Sequence, residues 1–262
     1  MTLTDTNYYS AEANSQYMSV SQYKQFRKCE AAAMAQLKGE WAQASTIALL
    51  VGSYIDSYFE GTLSSFKESH LDIFKKDGTL KADYIQAEEI IKRIESDPLF
   101  MEFMSGEKQK IYTAELFGTN WKIKIDSLLP DKIVDLKIMR SMDRVMGKSF
   151  VEHWGYDLQM TVYAAVYKAV TGIELETYLA VATKEVPANL EIIHIPLWRR
   201  EELLDEISKH LPRIMAVKSG SVEPERCGVC GYCRATKVLT GPIDFEMVGL
   251  TNAEINAMLG QF

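Results

Sequence analysis

The spacing of hydrophobic residues changes near residue 110, from a helical period to an alternating one. Before that point, apolar residues recur at helical spacing, which predicts a helix capped by Ser19 and further helices across 44–59 and 81–104. Gly61 is placed to stop the second of these helices, because glycine readily adopts the left-handed conformation found at helix ends. Residues 62–80 are mixed and charged, and we expect a loop with short helices there.

Beyond this point, three segments of strand length have either alternating apolar and polar residues or a short apolar run: residues 111–118, 120–129 and 132–139. Turn residues separate the segments, so the pattern predicts three strands in an antiparallel meander. Further elements are predicted along the rest of the chain, as strands at 175–183 and 190–196 and as helices at 156–170, at 198–218 and near the C-terminus. This order of elements indicates an α/β fold in which a mixed central sheet of four to five strands is flanked by helices.

The composition is that of an ordinary globular protein, with 47% hydrophobic and 25% charged residues in a chain of 262 residues. No apolar run approaches the ~20 residues of a membrane span, and the N-terminus lacks the regions of a signal peptide. We therefore expect one cytoplasmic domain over residues 1–262 and no membrane partner. The net charge of −7 argues against nonspecific coating of nucleic acid, although it leaves open a local cleft that binds it.

Acidic and basic side chains share one face of two neighbouring predicted strands. Asp126 follows the alternating run WKIKI, and in IVDLKI the residues Asp135 and Lys137 alternate with apolar ones. A turn at Pro130 makes the strands neighbours, so we expect the three side chains to converge. An ordinary amphipathic hairpin with a solvated charged face has the same pattern, and the spacing alone does not exclude it.

Such a convergence suits metal-dependent hydrolysis of phosphodiesters. Mg²⁺ prefers hard oxygen ligands from one or two carboxylates, and it lowers the pKa of an attacking water. A neighbouring lysine, here Lys137, can orient that water and stabilise negative charge on the phosphate. Glu115, on the preceding strand, could supply a further carboxylate.

Polar residues next to these strands are candidates for binding a substrate. In the predicted helix at 156–170, Tyr156, Gln159 and Tyr163 fall on one face at positions i, i+3 and i+7. Gln159 is either turned into the cleft or a surface residue. Arg140 follows the strand that carries Lys137 and could bind phosphate, or it could be a solvated loop charge.

The order Asp126, Asp135-Leu136-Lys137, Tyr156-x-x-Gln159-x-x-x-Tyr163 resembles the active-site motifs of the PD-(D/E)XK nuclease superfamily. Within that superfamily it is most similar to the RecB-like and phage RecE-like recombination exonucleases. Two positions differ from the pattern of the group. Ile125 stands where the superfamily has proline, and Asp56 stands where members often have histidine four residues after a glycine. Asp56 could be a substitute ligand or a bystander.

The resemblance implies roles for individual residues. Asp126, Asp135 and the carbonyl of Leu136 would bind Mg²⁺ or Mn²⁺, with Glu115 as an outer or second-metal ligand. Lys137 would act on the nucleophilic water. Gln159 and Tyr163 would position the substrate strand or the lysine.

The same resemblance implies an activity and partners. The expected function is a metal-dependent DNA exonuclease that digests duplex ends from 5′ to 3′ in phage-type recombination. It would act as a homo-oligomer, beside a single-strand annealing protein, in the cytoplasm of a bacterial host. One alternative is an endonuclease or an end-trimming nuclease of the CRISPR-adaptation type. Another is a noncatalytic cysteine–metal protein that binds DNA or assists assembly.

The four cysteines are one early residue, Cys29, and a late cluster of Cys227, Cys230 and Cys233. In a cytosolic chain this distribution indicates metal binding, and sets of four thiolates hold zinc or an iron–sulfur cluster. The segment before Cys29 is similar to that of AddB-type and CRISPR-associated adaptation nucleases, which implies a [4Fe–4S] cluster. The spacing C-x₂-C-x₂-C is shorter than in that group. An iron–sulfur cluster is favoured, with a structural Zn²⁺ as the next alternative and a metal-free set of thiols as the third.

Overall fold

The computed structural model describes residues 1–42, 46–239 and 241–259. Two compact units divide the chain. The cysteine unit comprises Met1–Gln43, Phe117–Asn120 and Glu206–Phe262, and the sheet unit comprises Ala44–Leu116 and Trp121–Asp205. The expectation of one nuclease domain over the whole chain stays a prediction.

Helices make up most of the regular structure and follow the helical spacing of the sequence. In chain order they are α1 (Ala11–Gln16), α2 (Val20–Lys28), α3 (Glu30–Leu37), α4 (Ile47–Glu60), α5 (Leu63–Ser69), α6 (Ala82–Glu95), α7 (Pro98–Phe103), α8 (Phe150–Trp154), α9 (Tyr156–Thr171), α10 (Leu197–Lys218), α11 (Gly231–Ala235) and α12 (Asn252–Leu259), with short 3-10 helices at Leu71–Ile73 and Phe245–Met247. Within the ranges described, none of these helices combines the length and the apolarity needed to cross a membrane.

The predicted helix boundaries agree with local capping. Ser19 accepts a hydrogen bond from the Gln22 N–H at the start of α2. Gly61 ends α4 with φ of +79°, the left-handed conformation that favours glycine. The predicted start of α4 at Ala44 lies outside the described residues. The chain is extended at Cys29, which separates α2 from α3.

The strands form two sheets. They are β1 (Lys110–Leu116), β2 (Thr119–Ile125), β3 (Ser127–Leu128), β4 (Lys132–Met139), β5 (Glu176–Thr183) and β6 (Leu190–His194). One sheet pairs β1 with β2, and the other has the order β3-β4-β5-β6. The central pair β4 and β5 is parallel, and both outer pairs are antiparallel. The expected fold class, a mixed α/β structure flanked by helices, is confirmed.

The segment predicted as one strand at 120–129 is divided at Asp126, so that β2 and β3 belong to different sheets. Ser127 of β3 pairs with Val134 of β4, whereas β2 pairs with β1. The chain therefore leaves one sheet and enters the other at the residue that carries the first candidate carboxylate.

The core of the sheet unit holds β4 in a fixed orientation. Val134 and Leu136 are buried against apolar residues of α4 and α6, among them Ile55 and Ile90. Alternation along β4 turns Asp135 and Lys137 to the opposite face. This packing explains why two charged side chains stand together beside an apolar core.

Candidate active site

Asp126 stands at the junction of β2 and β3, and both of its carboxylate oxygens accept hydrogen bonds. The backbone N–H of Leu136 donates to Oδ2 at 3.0 Å. The side-chain amide of Gln109 donates to Oδ1 at 3.3 Å. These contacts fix the plane of the carboxylate next to strand β4.

Asp135 lies deeper, with 2% of its surface exposed. Its Oδ2 forms an ion pair with the ammonium of Lys137. Nε2 of Gln159 donates to Oδ1 at 2.7 Å and also to the hydroxyl of Tyr163 at 3.1 Å. Apart from its ion pair, Oδ2 of Asp135 has no hydrogen-bond partner within the part of the chain that the structure describes. A buried oxygen in that position fits a ligand for a cation.

The remaining residues of the helix motif also face β4. Nζ of Lys137 lies 5.3 Å from the centroid of the Tyr156 ring. The Tyr156 hydroxyl donates to Sδ of Met139 at 3.1 Å. The structure thus brings together α9 and the Asp-x-Lys strand, although the roles of these side chains stay predictions.

Asp56, on α4, is the third carboxylate of this site. It lines a small pocket with Asp126, Leu136 and Gln109. Burial raises the pKa of Asp56 to about 7; the positive charge of Lys137 opposes this shift and the negative charge of Asp135 adds to it. Asp56, which stands where related motifs often have histidine, is therefore close enough to Lys137 and Asp135 for their charges to affect its pKa.

The electrostatics of the site leave negative charge in excess. Burial raises the pKa of Asp126 well above its usual range, and repulsion from Asp135 and Asp56 adds to the rise. Burial alone would lower the pKa of Lys137, but attraction by Asp135 and Asp126 outweighs it and raises that pKa. Asp126, Asp135 and Asp56 thus repel one another in a poorly solvated place, and a bound cation would offset that repulsion.

The donor set fits a hard divalent cation. The pocket beside Asp56 and Asp126 has a volume of about 10 Å³, which is room for about one water-sized particle. Asp56, Glu60, Asp126 and Gln109 line it together with the apolar residues Phe59, Met104 and Leu136. Carboxylate and amide oxygens are donors that suit Mg²⁺ or Mn²⁺, so these side chains have the chemistry for such an ion.

Two predicted residues stand apart from this group. Glu115 is exposed on β1 and is not among the main charged groups that act on Asp126. Arg140 is exposed just beyond the end of β4. The structure gives neither side chain a contact with Asp126 or Asp135 among the residues it describes.

Gln109 is a site residue that the sequence analysis missed. Its φ of +53° is unusual for a residue other than glycine. The preceding loop is clamped to β3, because Glu107 and Leu128 exchange backbone hydrogen bonds of 2.9 Å. At Gly106 an added Cβ would lie 2.5 Å from the Leu128 carbonyl oxygen, so only glycine fits there. A glycine just before a predicted strand was the one local signal of this close approach.

The four cysteines converge in the cysteine unit. Their sulfur atoms all lie within 4.8 Å of one another, and within the described ranges no other set of three or more acidic, histidine or cysteine ligands is gathered so tightly. The carboxylates around Lys137 are therefore more loosely arranged than the thiols. The four-cysteine cluster could hold a metal.

Comparison with known proteins gives the following matches. Residues 19–236 match a family described as a PDDEXK-like domain of unknown function (DUF3799). The chain is also similar to the crystal structure of a putative exonuclease from Eubacterium rectale. The two are 47% identical with a TM-score of 0.91, and the match covers 95% of this chain and 99% of that chain. No curated protein matches the chain.

Proposed function

Since the chain belongs to the family of PDDEXK-like domains, we propose that it is a divalent-metal-dependent DNA exonuclease acting through Asp126, Asp135 and Lys137. The resemblance to the PD-(D/E)XK superfamily is confirmed, and the family and the solved relative together support a nuclease. That this relative is described as a putative exonuclease supports attack at DNA ends.

One observation carries the proposal: the two oxygens of Asp135 are held by Lys137 of the same strand and by Gln159 of helix α9. A solvated charged hairpin would not bury Asp135 or point a helix glutamine at it. A structural ion pair would require only the lysine. The additional carboxylate of Asp126, fixed by the Leu136 N–H, completes a set that suits phosphodiester hydrolysis.

Each residue has its own role in the proposed hydrolysis. A bound Mg²⁺ or Mn²⁺, held by Asp126, Asp135 and the carbonyl of Leu136, would polarise the scissile phosphate and make a water more acidic. Lys137 stays protonated beside two carboxylates, so its ammonium can orient the attacking water and offset charge that develops on the phosphate. Gln159 keeps Asp135 in place and positions the hydroxyl of Tyr163 for the substrate strand.

Asp56 enters the proposal as the third carboxylate. Its place beside Asp126, in an ion-sized pocket, supports a role as a ligand in the position where related motifs have histidine. Glu115 and Arg140 keep their proposed roles as an outer ligand and a phosphate contact, although Asp56 is better placed than Glu115 to complete the ligand set.

The finer biological role rests on the resemblance to phage recombination exonucleases. We include in the proposal digestion from 5′ to 3′, a homo-oligomer and a single-strand annealing partner. An endonuclease or end-trimming nuclease is the competing activity, and a noncatalytic DNA-binding protein is the competing class. The ion pair of Lys137 with Asp135, and the influence of both charges on the pKa of Asp126, favour catalysis over the noncatalytic alternative.

The experiment is to incubate the purified protein with end-labelled linear duplex and with closed circular DNA, each with Mg²⁺ or with a chelator. We expect progressive loss of the linear DNA alone, and only with Mg²⁺. Cleavage of the closed circle would establish an endonuclease instead. Intact DNA in every reaction, with folded protein and with Mn²⁺ also supplied, would leave only the noncatalytic alternative.

A further inference from the structure

The four thiols of the cysteine unit have the spacing of ligands that share a single ion. Zinc binds thiolate sulfur at about 2.3 Å in a tetrahedron, so neighbouring sulfur atoms around one zinc ion lie about 3.8 Å apart. Here the Cys29 and Cys233 sulfurs are 3.6 Å apart, and the Cys227 and Cys233 sulfurs are 3.9 Å apart. With Cys230 included, all four lie within 4.8 Å of one another.

A [4Fe–4S] cluster requires a wider arrangement. Each of its four cysteines binds a different iron atom, and the thiolates point outward from a core of eight atoms. Their sulfurs must therefore stand farther apart than four sulfurs that meet at one ion. Four sulfur atoms within 4.8 Å of one another stand closer together than such a core requires, so this spacing disagrees with the iron–sulfur cluster that the sequence resemblance implies.

The backbone around the thiols is arranged to stabilise thiolates. The N–H of Cys230 points to the Cys227 sulfur at 3.3 Å, and that of Cys233 points to the Cys230 sulfur at 3.4 Å. The N–H of Cys227 lies 3.4 Å from the Cys29 sulfur. Gly228 permits the tight loop with φ of +83°. Three backbone donors aimed at three sulfurs supply the outer hydrogen bonds that metal ligands commonly receive.

Two arginines in the same loop would offset the negative charge of a metal-bound cysteine site. Four thiolates around one divalent ion carry two excess negative charges. The guanidinium of Arg226 donates to the carbonyl of Cys233 at 3.2 Å, and that of Arg234 donates to the carbonyl of Val229 at 3.1 Å. Both cations are thereby held in the cysteine loop, where they oppose the excess negative charge.

We infer that Cys29, Cys227, Cys230 and Cys233 hold one tetrahedral Zn²⁺ ion and no iron–sulfur cluster. With four protein ligands the site is closed, as structural zinc sites are, and it has no position for a substrate or a water. The zinc ion fastens the junction of α2 and α3 to the segment 227–233 within the cysteine unit. This inference does not depend on the proposed nuclease activity.

Metal analysis of the wild-type protein tests the inference. The protein is purified without oxygen from cells supplied with both iron and zinc, because an oxygen-sensitive cluster could otherwise decay and be replaced. We expect about one zinc ion per chain, without iron or acid-labile sulfide. About four iron atoms with sulfide would overturn the inference, and so would folded protein without bound metal.

A second measurement avoids dependence on how variants fold. Wild-type protein stripped of metal is refolded with Co²⁺, whose visible absorption distinguishes tetrahedral thiolate coordination from octahedral coordination. We expect the tetrahedral thiolate spectrum, saturating at about one ion per chain. A spectrum of octahedral cobalt would contradict the proposed site.

The zinc content of a Cys230→Ser variant tests whether the metal is bound by these cysteines. Lys237→Ala, outside the thiol set, is the control. Zinc should be lost or bound at least tenfold more weakly in the serine variant and retained in the control. Equal zinc content in folded preparations of both variants would place the metal elsewhere and overturn the assignment.

Discussion

Nε2 of Gln109 donates a hydrogen bond to Oδ1 of Asp126 at 3.3 Å, although 17 residues separate the two in the chain. The loop before β1 makes this contact possible because its backbone is bonded to β3, directly after Asp126. A residue with no place in the recognised motif therefore sets the orientation of a proposed metal ligand.

Replacing Gln109 should weaken metal binding more than it weakens the fold. A hydrogen bond to a charged group is worth about 1.5–3 kcal/mol, so Gln109→Ala should raise the Mg²⁺ concentration for half-maximal cleavage by roughly tenfold or more. Calorimetric titration of metal-free protein with Mn²⁺ measures the same effect without catalysis. Gln25→Ala, an exposed glutamine on α2, serves as the control. Unchanged metal affinity in Gln109→Ala would rule out this positioning role.

Lys137 should be required for cleavage, and the comparison is made with folded protein. Lys137→Ala removes the ammonium that faces Asp135, and we expect cleavage to fall by about 10²-fold or more, the usual effect of losing a group that stabilises transition-state charge. The measurement is single-turnover cleavage of linear duplex with saturating Mg²⁺. Lys148→Ala, an exposed lysine beyond β4, should cleave like the wild type. Full activity in the Lys137 variant would refute the proposed mechanism.

Asp56 should behave as part of the metal site. Asp56→Asn keeps the size of the side chain but removes one of the three carboxylates, so the metal requirement should rise by about tenfold. The metal concentration for half-maximal cleavage and the metal affinity of the metal-free protein should change by similar factors. Asp72→Asn, an exposed carboxylate in the same unit, is the matched control. Equal metal affinities in the two variants would identify Asp56 as a bystander.

Lys122 should make the stability of the sheet unit depend on pH. Its side chain is 1% exposed, and burial lowers its pKa from 10.5 to about 8. The charged form is thus disfavoured in the folded protein, and this cost is full below about pH 8 and disappears as the pH rises toward 10.5. The difference in pKa corresponds to about 3 kcal/mol as an order of magnitude.

Lys122→Met, which keeps the length of the side chain, should therefore remove this pH dependence, so that the melting temperature of the variant relative to the wild type is higher at pH 7 than at pH 10. Thermal unfolding followed by circular dichroism at both pH values, in chelator, measures the difference. An exposed lysine changed in the same way, Lys75→Met, should show no such dependence. The argument would be refuted if Lys122→Met lowered stability equally at the two pH values.

Local patterns in the sequence determined most of the secondary structure and the pairing of Asp135 and Lys137 on one face of a strand. Helix starts such as Ser19 and stops such as Gly61 depend on residues within a few positions, and these boundaries agree with the structure. The alternation of Val134 and Leu136 with Asp135 and Lys137 follows from the two-residue period of a strand. The order of elements predicted the fold class, and the resemblance of the motifs indicated the superfamily.

Contacts between distant segments were decided only by the tertiary structure. The division of the second predicted strand at Asp126 depends on pairing with β4, and the burial of Lys122 depends on packing around β2. Asp56 and Gln109 joined the site because α4 and the loop before β1 pack beside Asp126.

The cysteines also show that the sequence alone does not give the distances between residues far apart in the chain. Their spacing in the sequence indicated a metal site but left an iron–sulfur cluster, zinc and a metal-free set of thiols as alternatives. The distances between the sulfurs, such as the 3.6 Å between Cys29 and Cys233, which are 204 residues apart, are the observations on which we base the proposal of zinc. The sequence by itself determined which residue types were available and in what local period, because those depend on near neighbours. The distances between donor atoms, on which metal choice and catalysis depend, were set by packing between segments far apart in the chain.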